Sequence, residues 1–139
     1  MTVKTEYLES CIGTLKMSLA FYQDPAIDEN IHLLAMCTIA KNYELSLELA
    51  GKLLRKALSA YHASPRFVSD LPYKEVLREA AKYQLIGVDA IERWFKYRDY
   101  RNTMAHDYGL PVVESVPDFI DEYLDDVMHL IEKIKKVKG

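Results

Sequence analysis

Cross-linkable sulfur, long apolar runs and a dominant charge sign are all scarce in this chain. Only two cysteines occur in 139 residues, Cys11 and Cys37, with no Cys-x-x-Cys pairing. That spacing argues against a disulfide framework, and both are expected to be reduced thiols buried on helices as small hydrophobes. No apolar stretch is long enough to span a bilayer. The opening "MTVKTEYLES" lacks the basic start and apolar run of a secretory signal. A soluble, cytoplasmic protein with no membrane partner is expected. The formal net charge is only -3, which excludes indiscriminate coating of nucleic acid. A local basic pocket stays possible, because the local field rather than the sum steers an anion.

What is present is an apolar half, 50% of residues, with 28% charged. That balance excludes a disordered tail. The length suits one domain, residues 1–139, that buries about two-thirds of its unfolded surface. Glycine and proline number five each and fall chiefly between periodic segments, the mark of helices joined by short loops.

The period is helical throughout. Leu8, Cys11, Ile12, Leu15, Leu19 and Tyr22 recur at three and four and predict a first helix over 5–22. Asp24 is expected to cap the second helix, with Pro25 in its first turn. That helix has no break before Tyr61 and would be about 50 Å long. Ile31, Leu34, Ala35, Thr38, Leu45, Leu49 and Leu53 form one stripe, and Leu33, Met36, Ala40, Tyr43, Leu47, Leu54 and Leu58 a second. Two stripes require contact on two sides, so this helix is central or faces a second subunit, with Gly51 a candidate bend. "HASPRFVSD" reads as a loop, and a short helix carrying Val76, Leu77, Ala80 and Tyr83 follows Pro72. A fourth helix runs from about Val88 to Tyr108, with Gly109 placed for a left-handed cap and Pro111 barring continuation. Ser115 and Asp118 resemble a capping box for the last helix, with Pro117 fitting its first turn. That helix has acids leading and lysines trailing, which complements the helix dipole. The fold class is therefore all-α, an up-and-down bundle of about five helices.

The fourth helix carries the functional signal. Advancing about 100° per residue from Val88, Glu92, Arg93, Lys96, Asp99 and Thr103 fall on a solvated face. The opposite arc holds Ile91, Trp94, Phe95, Tyr97, Met104 and Ala105, but also Arg98, Arg101 and Asn102, with His106 at its edge. An unpartnered buried guanidinium is strongly unfavourable, so these groups face a carboxylate, a wet cleft or a bound anion. An ion pair of Arg101 with Glu44 or Glu48 is the structural alternative. Asp125 with His129 is the only passable metal-ligand pair, and two ligands make a poor site, so no metal or cofactor is expected. His32, His62 and His129 read as surface histidines.

The string from Arg101 to Tyr108, "RNTMAHDY", is Arg, four residues, His, one residue, Tyr. It resembles the signature of the HEPN superfamily in its HepT-like branch, also called nucleotidyltransferase substrate-binding proteins. "NYELSLELAGKLLRKAL", through Tyr43, Glu44 and Leu45, and "YKEVLREAAKYQLI" are similar to further segments of that branch, and Trp94 stands at a usual tryptophan. The chain departs at Ala40, where an acid is usual, and at Gln84, where a glycine is usual.

The resemblance implies a helical bundle that forms a homodimer, with the Arg-His motifs of two copies lining one groove. It implies a metal-independent ribonuclease acting as a toxin on RNA, with Arg101, His106 and Asn102 catalytic and Arg98 extending the cationic floor. It also implies a minimal nucleotidyltransferase partner that silences the toxin by attaching AMP to Tyr108. A non-catalytic binding subunit of that nucleotidyltransferase, or a plain helical adaptor, are the other readings open at this point.

Overall fold

The computed structural model describes residues 3–106 and 116–137, and for Pro65 and residues 104–106 the backbone alone. Six helices follow in order: α1 (Glu6–Gln23), α2 (Glu29–Ser59), α3 (Pro65–Ser69), α4 (Tyr73–Lys82), α5 (Ile91–His106) and α6 (Ile120–Lys135). A 3-10 turn, Val88–Ala90, leads into α5, and no strand occurs among the described residues. The all-α bundle expected from the periodicity is observed. The sixth helix is α3, a single turn inside the stretch read as a loop, which buries Val68.

α2 is the axis of the molecule, touching α1, α3, α4, α5 and α6. It runs unbroken for 31 residues through Gly51, about 46 Å at the helical rise. Its start differs from expectation. Asp28, not Asp24, caps it, accepting from the Asn30 amide at 2.7 Å. Asp24 instead turns the preceding loop by accepting from the Ala26 amide. The α1–α2 loop therefore extends three residues beyond the proline that seemed to open the helix.

Of the second stripe Ala40, Tyr43, Leu47, Leu54 and Leu58 are buried but Leu33 is exposed, and of the first Ala35 is buried but Ile31, Leu34 and Leu45 are exposed. Cys11 is buried, but Cys37 is exposed on that same outer side of α2, so the expectation of two buried thiols fails for one.

An aromatic cluster locks α2, α5 and α6 together. Tyr43, Trp94, Tyr97 and Tyr123 are nearly inaccessible, with ring centroids 4.7 to 6.4 Å apart. Burial drives the Tyr43, Tyr97 and Tyr123 hydroxyls far above their ordinary pKa, so they remain neutral. Each finds a partner, as buried hydroxyls must. Tyr43 donates to the Tyr97 carbonyl at 2.7 Å, and Tyr123 shares a hydrogen bond with Ser46. The tyrosine of the "NYEL" segment thus pins α2 to α5 one turn before Arg101.

α4 closes at Gln84, whose φ of 63° lies in the left-handed region. The Leu85 amide returns to the Ala80 carbonyl at 2.8 Å and that of Gln84 to Ala81 at 3.1 Å, the helix-ending pattern that favours glycine. The departure from glycine at Gln84 therefore places a side chain in a conformation that costs L-residues about 1 kcal/mol or more. The helix that follows Pro117 also differs: α6 begins at Ile120 with Phe119 at its cap position and no side-chain cap. Asp118 precedes the helix, and Ser115 lies outside the described residues, as do Gly109 and Pro111.

Candidate functional site

α5 presents two very different arginine environments. On the side facing α6, Arg93 Nε donates to Asp126 Oδ2 at 2.8 Å and a terminal nitrogen donates to Oδ1 at 2.9 Å. Its other terminal nitrogen reaches the Asp89 carbonyl and carboxylate at 3.2 and 3.4 Å. Tyr97 Oη donates to the same Asp126 at 2.5 Å. Burial pushes the Asp126 carboxyl up, but the Arg93 and Tyr97 hydrogen bonds outweigh it and hold the carboxyl below its ordinary range. This corrects the placement of Arg93 on a solvated face: it is the tie between α5 and α6. Asp125 and His129 line the shallow cavity beside it, about 230 Å³. No group of three or more potential metal ligands is assembled among the described residues.

On the side facing α2, Arg98 and Arg101 open into one cleft of about 300 Å³, with Leu47, Glu48, Gly51, Lys52, Arg55 and Tyr73 as its other walls. Among the described residues, four cations thus meet a single carboxylate, Glu48. That carboxylate lies 3.4 Å from Lys52. Among the described residues neither Arg98 nor Arg101 forms an ion pair with a carboxylate, so the proposed Arg101 pairing with Glu44 or Glu48 is not formed. Arg98 sits instead over the Tyr73 ring, 4.3 Å from its centroid, a cation–π contact. Burial raises the Tyr73 hydroxyl to about 12, against the pull of Arg98 and Arg55, so it stays neutral at pH 7. Arg55 has a structural task, donating at 2.9 Å to the carbonyls of both Val68 and Leu71 and so closing the end of the cleft around α3.

The sequence-predicted site residues therefore divide. Arg98 and Arg101 come together. Asn102 is exposed and outside the cleft, not on the inward arc. His106 occupies the last described turn of α5, one turn beyond Asn102, and its side chain lies outside what is described, as does Tyr108 entirely. Sequence reasoning missed Gly51, Lys52, Arg55 and Tyr73. Part of that signal was available, because Glu48, Gly51, Lys52 and Arg55 recur at helical spacing on α2. Tyr73, brought in by α4, carried none. The three other histidines also part ways. His32 stacks on Tyr22 and His129 is exposed. His62, expected at the surface, is tucked against Phe67 and Tyr83 with Nε2 buried 3.6 Å from Glu79.

A helical bundle with a cation-lined cleft between its long central helix and the helix bearing Arg-x4-His places the chain among small all-helical proteins. The chain belongs to the family described as nucleotidyltransferase substrate binding protein like, whose model matches residues 5–136. It is similar to the probable ribonuclease HepT of Haemophilus influenzae, at 28% identity over 96 residues, which cover 69% of this chain and 64% of that relative. The match thus spans a little under two-thirds of the relative's length. Its fold is similar to that of a solved Haemophilus influenzae protein described as the substrate-binding domain of a nucleotidyltransferase. The TM-score is 0.83 at 22% identity, over 96% of this chain and all of that one. Among the described residues, no helix is long and apolar enough to cross a membrane.

Proposed function

We propose that this chain, acting as one unit over residues 1–139 in the cytoplasm, is a metal-independent endoribonuclease of the HepT type. It would be the toxin of a toxin–antitoxin pair. The observation that carries the reading is the pairing of Arg98 and Arg101 in one cationic cleft, on the helix whose final turn holds His106. Cleavage of RNA without a metal requires removal of the 2′-hydroxyl proton, attack of that oxygen on phosphorus, and protonation of the departing 5′-oxygen. Imidazole performs either transfer near neutral pH. Two copies of the chain would supply two copies of His106, one as base and one as acid. Arg101 neutralises the charge that accumulates on the phosphoryl oxygens, a contribution of about 3 kcal/mol for one well-placed donor. Asn102, exposed on the next face, would orient His106 or the phosphate from the partner's side of the groove. The exposed Ile31, Leu34 and Leu45 of α2 support a homodimer by offering apolar surface to a second copy.

A minimal nucleotidyltransferase is the proposed antitoxin partner. Attack of the Tyr108 oxygen on the α-phosphorus of ATP, with loss of pyrophosphate, would add a charged, bulky group beside the groove and oppose RNA entry. A second reading, a non-catalytic subunit that presents a nucleotide to that enzyme, is favoured by the description of the family and uses the same cleft.

Expression without the partner tests the choice. Growth arrest and RNA breakage that disappear in both His106→Ala and Arg101→Ala are expected. A harmless wild-type chain that leaves RNA intact removes the nuclease reading and leaves the binding subunit.

A further inference from the structure

The α2–α5 cleft holds more than the catalytic motif asks for. We propose that it is a subsite for one nucleotide of single-stranded RNA. Arg98, held over Tyr73, stacks against the base, while Lys52 and Arg101 take the flanking phosphates. The assignment rests on the ribonuclease reading for its substrate, and its residues are independent of the proton transfers.

Three observations converge on it. The first is the Tyr73–Arg98 contact at 4.3 Å. An exposed arginine normally samples many rotamers, but here the ring supports one side of the guanidinium beside the cleft. Bases of unstacked RNA lie on such planes as readily as on aromatic rings. Tyr73 is itself braced by the edge of Phe95, with centroids 6.3 Å apart.

The second is Gly51. Glycine is disfavoured in a helix interior, and α2 extends from Glu29 to Ser59 around it. Neither crowding nor backbone conformation accounts for it. A Cβ built there meets nothing within 4 Å, and no left-handed φ is recorded for it. Its consequence is an open floor between Glu48, Lys52 and Arg98.

The third is charge. Lys52, Arg98 and Arg101 stand around a space of about 300 Å³, the lower end of the roughly 300–1,000 Å³ typical of small-molecule sites. Arg55 is committed to the Val68 and Leu71 carbonyls, so it shapes the end of the cleft. Cations grouped around a planar platform fit the alternation of phosphate and base along a nucleic acid strand. A peptide of aspartate and glutamate alone offers no aromatic face for that platform.

The test is binding by the full-length His106→Ala protein, which removes turnover. Fluorescence anisotropy would compare a short labelled oligoribonucleotide with the same sugar–phosphate backbone lacking bases. Arg98→Lys keeps the charge and loses the plane. It should weaken binding of the intact oligomer about fivefold to tenfold, the scale of one lost stack, and leave the baseless strand nearly unchanged. Gly51→Gln, whose Cβ meets no protein atom within 4 Å, should weaken both strands by filling the floor. Equal losses on both strands for Arg98→Lys overturn the stacking assignment, as does full binding by Gly51→Gln. AMP competing as well as the oligomer, at equal nucleotide concentration, overturns the RNA-strand assignment. Cleavage is read separately on the protein with His106 intact. No cleavage with the base-dependent effect present rejects the nuclease and keeps the subsite. Cleavage with no Arg98 effect does the reverse.

Discussion

Arg93 and Arg98 stand on the same helix, five positions apart, and meet opposite surroundings. Arg93 is held by both oxygens of Asp126 and by Asp89. Arg98 has an aromatic face beneath it and, among the described residues, no carboxylate partner. The first is what a structural arginine looks like: its charge is balanced, its hydrogen bonds are met, and removing a partner leaves an unbalanced charge. The second keeps its hydrogen-bonding capacity open toward a cleft already rich in cations, an arrangement that gains stability only when an anion arrives. One helix thus carries a joint on one side and, in the function proposed above, a receptor on the other.

The largest effect should come from the receptor side. His106→Ala is expected to lower RNA cleavage at least about 100-fold, the lower bound for a lost general acid or base. Arg101→Ala should do the same through loss of charge stabilisation, with the melting temperature of each variant little changed. The joint should respond in the opposite way. Asp126→Ala strands Arg93 and the Tyr97 hydroxyl, and it should cost about 2–3 kcal/mol in urea unfolding while RNA affinity is retained.

The same joint has a pH signature. Because the folded Asp126 carboxyl titrates below its ordinary range, its contribution is present above about pH 4 and is lost as pH falls through the folded value. The stability gap between the wild type and Asp126→Asn should therefore close on acidification below about pH 4. A gap that is constant with pH would show that the carboxylate's charge is not what matters. Arg98→Ala should leave stability within about 0.5 kcal/mol and weaken RNA binding, whereas Lys52→Ala, which removes a phosphate contact, should reduce the salt dependence of binding by about 0.7 in the log–log slope. A large loss of stability instead would mean that Arg98, like Arg93, is structural, and the contrast would dissolve. Gly51→Ala should stabilise α2 by about 0.5–1 kcal/mol, read in urea unfolding.

The failures of sequence reasoning are instructive at particular positions. A helical wheel measures a residue against its own helix. It put Arg93 in solvent because nothing within α5 revealed Asp126, which lies 33 residues downstream. It put Asn102 inward because it assumed a neighbour at that height, and α2 and α4 cover only the Arg98 and Arg101 side. Asp24 and Asp28 are both chemically able to cap α2, and the path of the α1–α2 loop chose between them. His62 looked like any polar residue near a turn until α3 and α4 folded over it.

The all-helical class, the extent of α1, the unbroken run of α2 through Gly51, and the helical setting of the Arg-x4-His motif on α5 were determined by the chain alone. Each is a matter of local period and local motif, and residues three and four apart meet wherever a helix forms. Which arginine is paired and which faces an open cleft was decided only in three dimensions. A guanidinium's partner is whatever carboxylate, ring or open space a distant segment delivers. Asp126 from α6 and Tyr73 from α4 reach α5 only once the core has closed around Tyr43, Tyr97 and Tyr123.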